Sequence, residues 1–242
     1  VYPGLKAEYG DNHAGRDVGL VSAFKINKDE YDWEIDDYQI EDRDDLVIYE
    51  LLLRDFTDNT YGEGSIKAAM EYLDYIDDLG VNAIELMPVQ EFDGNNSWGY
   101  GTHAYFAMDK VYGTRNDYKK FIDECHKRCM EVHAWINPYR VTNGEGVDKL
   151  SKNHLYFRRP ELFLTYGGKV YFNPGLEEVR DYLTSIVMDI VLRYDVDGIH
   201  MDDYFYPYKV AGEEFPDFET FKNHHRDQYD RQAWRRDNVN LV

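Results

Sequence analysis

The chain has 242 residues, 43% of them hydrophobic, which suffices for one sizeable core and excludes a disordered polymer. A formal net charge of −20 argues against nucleic acid or an anionic membrane as partner and leaves neutral ligands. Aromatic residues are 16% of the chain, Tyr above all, and a flat apolar face with a hydrogen-bonding tip is what a sugar ring needs. No apolar run approaches the ~18 residues of a membrane span. No signal-peptide pattern opens the chain, Val1 is not a start residue, and the compartment stays unassigned.

Residues 1–44 are acidic and aromatic, punctuated by Gly4, Gly10, Gly15 and Gly19, and read as a lead-in arm or short strands. At Leu46 the pattern changes. Leu46 to Arg54 is a continuous apolar run of the kind buried on both faces of a parallel sheet, with Glu50 and Arg54 expected to pair on one face. Ser65 predicts the N-cap of a helix with apolar positions Ile66, Ala69, Met70, Leu73, Ile76 and Leu79, stopped by Gly80. Val81 to Met87 is a second buried strand, ended by Pro88, which completes a right-handed βαβ unit. The long loop that follows carries Glu91, Asn95, Asn96, Trp98, Tyr100 and His103, and long loops between packed elements are usually functional or disordered. The next helix spans 117–128 with Tyr118, Phe121, Ile122 and Cys125 inward. Cys125 and Cys129 match no zinc spacing.

Residues 130–137 form a third strand. Alternation assigns Val132, Ala134 and Ile136 to the helix-facing side and His133, Trp135 and Asn137 to the other, with Arg140 opening the next loop. Lys169 to Phe172 reads as a short strand. A helix follows with Val179, Leu183, Ile186, Val187, Ile190 and Tyr194 along one stripe. The fourth strand runs from Val196 into an aromatic loop ending at Tyr206 and Pro207. Ile199 and Met201 share one face, His200 and Asp202 the other, and a carboxylate at the end of a buried strand is costly unless paired, hydrated or used. Asp203 points away from Asp202 and is the better structural partner. Asp217 is expected to cap a last helix running through Phe218, Phe221 and Trp234. About four β/α units therefore stand where a closed barrel needs about eight. The expected fold is an α/β half-barrel over 45–242 behind the lead-in arm, its open edges closed by dimerisation of two copies.

Two sets of motifs carry resemblances. Ile48-Tyr-Glu-Leu-Leu-Leu-Arg-Asp-Phe-Thr57, Leu79-Gly-Val-Asn-Ala-Ile-Glu-Leu-Met-Pro-Val89, Ser97-Trp-Gly-Tyr100 and Asp123-Glu-Cys-His-Lys-Arg128 resemble the α-amylase family of glycoside hydrolases. That resemblance implies that Tyr100 stacks on a sugar. The family's next motif, an Asp followed by Asn-His, is absent. From about Met130 the chain is similar to a family of glycosyl-hydrolase-like barrels, through Val132-His-Ala-Trp-Ile-Asn-Pro-Tyr-Arg140, Asn173-Pro-Gly175, Val196-Asp-Gly-Ile-His-Met-Asp-Asp-Tyr-Phe-Tyr-Pro207 and Trp234-Arg-Arg-Asp-Asn-Val-Asn240. The chain reads as a composite joined near Cys129, a position where both families favour Gly.

The resemblance implies hydrolysis of an O-glycosidic bond, with Asp202 as nucleophile and His200 where the amylase pattern has an Arg. Asp202 and Asp203 are the candidate catalytic residues. Trp98, Tyr100, His133, Trp135, Asn137, Arg140, His200 and Tyr206 are the candidate sugar-binding residues. Glu50, Glu85 and Glu91 are weaker carboxylate candidates, Glu85 being read as structural and Glu91 as part of a loop at the mouth. No organic cofactor is implied. A structural Ca²⁺ ion is compatible with the amylase side but has no identifiable ligand set. Two other readings stand beside the enzyme: a non-catalytic, truncated or recombined half-barrel, and a metal-dependent hydrolase with His133, His200, Asp202 and Asp203 around one ion.

Overall fold

The computed structural model describes residues 31–36, 38–40, 42–57, 65–92, 97–109, 111–142, 146–150, 154–201 and 205–241. Along the chain, β1 (Ile48–Leu51) is followed by the short helices α1 (Leu53–Phe56), α2 (Ile66–Met70) and α3 (Leu73–Asp78). Then come β2 (Ala83–Leu86), the antiparallel hairpin of β3 (Gln90–Phe92) and β4 (Thr102–Met108), α4 (Arg115–His126) and β5 (Glu131–Ile136). After α5 (Leu155–Arg158), a second hairpin of β6 (Phe163–Tyr166) and β7 (Lys169–Phe172) leads to α6 (Glu177–Arg193) and β8 (Gly198–Met201). Helices α7 (Phe218–His224) and α8 (Arg231–Val239) follow. Strands β1, β2, β5 and β8 pair in parallel in that order, which is the partial (β/α) barrel expected from four successive units.

The helix-facing side of this sheet is the core. Leu51, Ile84, Leu86 and Val132 pack with Ile66, Leu73 and Ile76 of α2 and α3 and with Tyr118, Phe121, Ile122 and Cys125 of α4. Helix α4 starts with a reciprocal cap: Asp117 N–H donates to Thr114 Oγ1, and Thr114 N–H donates to Asp117 Oδ2. A second cluster joins Phe163, Val170 and Phe172 of the β6–β7 hairpin to Val179, Leu183 and Ile186 of α6. At the start of β5, His126 Nε2 bonds Asp197 Oδ2 at 3.0 Å, and the same oxygen accepts Val132 N–H at 2.7 Å. Burial opposes a charge on His126, but the Asp197 carboxylate outweighs it and raises the imidazole pKa.

Several sequence expectations are corrected. Strand β1 is short and open on one face: Ile48 is 42% exposed, and Glu50 is exposed too. Arg54 lies in α1 rather than in the strand, and its Nε–H donates to Asp55 Oδ1, so no buried Glu50–Arg54 pair forms. Among the described residues no strand stands opposite the concave side of β1, where a closed barrel would have its far wall. The helix expected over 66–79 divides at Tyr72, whose ring lies edge-on to Phe56, and Leu79 is exposed. Gly80 does stop it, at φ +78°. The single last helix is also two. Asp217 does stand at the N-cap of α7, but its side chain makes no capping bond, because its buried carboxylate accepts from Arg231 Nε at 2.8 Å and Arg235 Nε at 2.7 Å.

The described part of the lead-in is strapped to α4 and β5. Tyr31 OH donates to Asp123 Oδ2, Tyr38 OH to the Cys129 carbonyl, and Ile40 N–H to Glu131 Oε1. Cys129 closes the turn after α4 at φ +57°, which explains why a glycine is favoured there. Both cysteines are free thiols, and burial pushes the Cys125 thiol up. A left-handed L-residue costs ~1–2 kcal/mol. Cys129→Gly is therefore expected to stabilise the chain by ~1 kcal/mol, seen as a higher urea midpoint with an unchanged slope; a lower midpoint would contradict it.

Candidate functional site

Strand alternation delivers the polar face as expected. His133 and Trp135 of β5 point to the side opposite Val132, and the neighbouring strand brings His200 beside them, with Trp135 and His200 in register. The cross-strand register Glu85↔His133↔Gly198 places three inner-face positions abreast. His133 Nδ1 lies 2.7 Å from His200 Nε2, His133 Nε2 lies 2.8 Å from Glu131 Oε2, and His200 Nδ1 lies 2.9 Å from Glu85 Oε1. Burial and the neighbouring His133 hold the His200 pKa below the ordinary histidine value. An open recess of about 430 Å³ lies over this face, lined by Glu50, Glu85, Trp135, Ile199, His200 and Met201.

Gly198 makes the arrangement sterically feasible. A Cβ there would stand 2.8 Å from His133 Cγ and 3.0 Å from Nδ1, so the imidazole occupies the space a side chain would take. Beside the histidines, the Tyr100 and Trp135 rings meet edge-on at 5.4 Å, the Arg140 guanidinium lies 6.0 Å from the Tyr100 ring, and Asn137 Nδ2 donates to the Tyr100 carbonyl at 2.7 Å. Among the described residues, Trp135 Nε1 and Asn137 Oδ1 are buried without a hydrogen-bond partner.

Six predicted residues thus come together: Tyr100, His133, Trp135, Asn137, Arg140 and His200. Trp98 is 60% exposed on the segment that leads to Tyr100. Tyr206 stands apart in the described contacts. Its hydroxyl accepts from Asn238 Nδ2 and its ring carries the Arg235 guanidinium, so it docks α8 instead. Asp202 and Asp203 lie outside the described residues. Glu91 belongs to β3 and is fully buried, not a loop residue at the mouth. All four ring nitrogens of His133 and His200 face protein partners, and among the described residues no group of three potential metal ligands gathers; the other two members of the metal-centre alternative, Asp202 and Asp203, lie outside the described residues. Two participants were missed by sequence reasoning: Glu131, which strand alternation places on the face of His133, and Gly198, whose role needs the His133 ring to be seen.

Comparison with known proteins agrees with this fold. Residues 67–242 match the family described as glycosyl hydrolase-like 10, a span that runs across the expected joint near Cys129. The chain is 39% identical over 180 residues to the glycosyl hydrolase YngK of Bacillus subtilis, covering 71% of this chain and 35% of that protein. It is 34% identical over 188 residues to the glycosyl hydrolase DigH of Escherichia coli, covering 72% of this chain and 42% of that one. The chain therefore spans well under half of these relatives. Among solved structures, a putative α-amylase from Salmonella typhimurium superposes with a TM-score of 0.60 at 26% identity, over 83% of this chain and 33% of that one.

Gly198→Ala is expected to drive the His133 ring off β8 and to destabilise the chain by about 1–3 kcal/mol, the usual cost of overpacking. Denaturant unfolding measures it, and an unchanged midpoint would show that the ring moves aside without cost.

Proposed function

Because the chain belongs to the glycosyl hydrolase-like 10 family, we propose that it holds a glycan against the polar face of its parallel sheet and hydrolyses an O-glycosidic bond there. The observation that carries this is the convergence of Tyr100, Trp135, Asn137 and Arg140 with the His133–His200 pair beside one open recess. Tyr100 and the exposed Trp98 supply flat faces for sugar rings. Sequence alternation assigns Asp202 to the face of His200 and makes it the nucleophile or charge stabiliser of this reading. Glycoside cleavage takes two carboxyl groups. Glu85 and Glu50 line the same recess.

A second reading, a sugar-binding face without turnover, is favoured by the described carboxylates of the polar line, since Glu131 and Glu85 are each bonded to a histidine. Assays of reducing-end release from α-glucans and from bacterial wall glycans separate the two. Turnover that falls at least about a hundredfold in Asp202→Asn is the expected result. Binding without turnover selects the second reading, and no binding to either glycan class removes both.

We also infer that two copies close the sheet. Strands β1 and β8 are its edges among the described residues, and exposed edges invite pairing. Sedimentation is expected to report twice the chain mass of 28.6 kDa, and a compact monomer would refute closure by a second copy.

A further inference from the structure

Four side chains on the polar face form an unbroken line: Glu131, His133, His200 and Glu85, joined at 2.8, 2.7 and 2.9 Å. Each of these contacts needs one proton between its two heavy atoms. An ionised carboxylate only accepts, and a neutral imidazole offers one N–H. Two neutral rings therefore supply two protons for three contacts. One contact would then set a nitrogen lone pair against a second nitrogen or against a carboxylate oxygen, which repel at such distances. An ordinary glutamic acid holds its proton about two pH units less firmly than an ordinary imidazolium, so the third proton belongs to the rings.

We propose that His133 and His200 hold three ring protons between them and act as one singly charged cation bracketed by Glu131 and Glu85. Glu131 supports this independently. It is 1% exposed, and its two oxygens take the Ile40 N–H at 2.9 Å and His133 Nε2. A carboxylate buried so completely is costly without a cation beside it. Burial and the neighbouring His133 lower the His200 pKa, which opposes a second charge on the pair. Whichever ring carries two protons, the outer nitrogens donate to Glu131 and Glu85 and one proton lies between His133 Nδ1 and His200 Nε2. Glu50 of β1 lines the recess beyond Glu85 and adds negative charge in favour of the cation. On the other flank, among the described residues of β8, Gly198 lies beneath the His133 ring and His200 bonds it. These histidines are positioning residues: their charge lies on the face proposed for sugar cleavage, where it favours an ionised carboxylate. That role, unlike the proton count, rests on the hydrolase reading.

The test is a long-range proton–nitrogen correlation spectrum of the ¹⁵N-histidine-labelled chain near pH 7, assigned with His133→Gln and His200→Gln. Three nitrogen-bound ring protons on the pair are expected, one ring doubly protonated and the other singly. Glu85→Gln, a change at the recess with no direct bond to His133, is expected to move the loss of the third proton down by about one pH unit or more. Two neutral rings near pH 6, two doubly protonated rings near pH 7, or an unaltered titration in a folded Glu85→Gln chain would each overturn the proposal. The unsubstituted chain decides the proton count even where a variant does not fold. Failure to cleave any glycan would remove the catalytic role and leave the shared proton standing.

Discussion

The parallel register that sets Glu85, His133 and Gly198 abreast is the constraint on which the polar face depends. Inner-face side chains of adjacent strands are brought within bonding distance only when their strands are neither slipped nor reversed. Here the central position is an imidazole, and one flanking position is a residue without a side chain. The ring can therefore lie across β8 and reach His200, which stands two residues further along. A one-residue slip of β5 would turn Glu131 and His133 toward the helices.

The rest of the half-barrel serves to hold that register. On the far side of the sheet, Ile84 and Val132 are clamped by α2, α3 and α4. At the amino end of β5 and β8, Asp197 bonds both His126 and the Val132 amide, which aligns the two strands where their pairing begins. The lead-in adds its Ile40 amide to Glu131, so the buried end of the polar line is anchored from outside the sheet. The concave side of β1 stays open, and this leaves Glu50 and Glu85 beside a recess rather than within a closed interior. His200 stands where the amylase resemblance implied an arginine. Its neighbours there are a second imidazole, that of His133, and the carboxylate of Glu85.

Much of this was legible in the residues. The apolar runs at Ile48, Ala83, Glu131 and Gly198 became the four parallel strands, the stripe from Val179 to Ile190 became α6, and Ser65 capped its helix as expected. Cys129 was marked as a position wanting glycine, and its left-handed backbone supplies the reason. The failures have a common cause. The β3–β4 hairpin, the buried Glu91 and the division of the last helix around Asp217 all follow from contacts made far along the chain, such as Arg231 and Arg235 closing on one carboxylate. No local period or cap signal reports such contacts.

The sequence by itself determined the class of the fold, the family, and the face on which His133, Trp135 and His200 lie, because helical and strand periodicities are local and each side chain's direction follows from its own backbone. Only the tertiary structure decided which polar groups meet. That Glu131 and Glu85 bracket two histidines, that Tyr206 belongs to α8, and that Arg54 turns to Asp55 depend on register and on the turn after β1. Hydrogen bonds act over about 3 Å, and distances that short between separate segments exist only once the strands have paired.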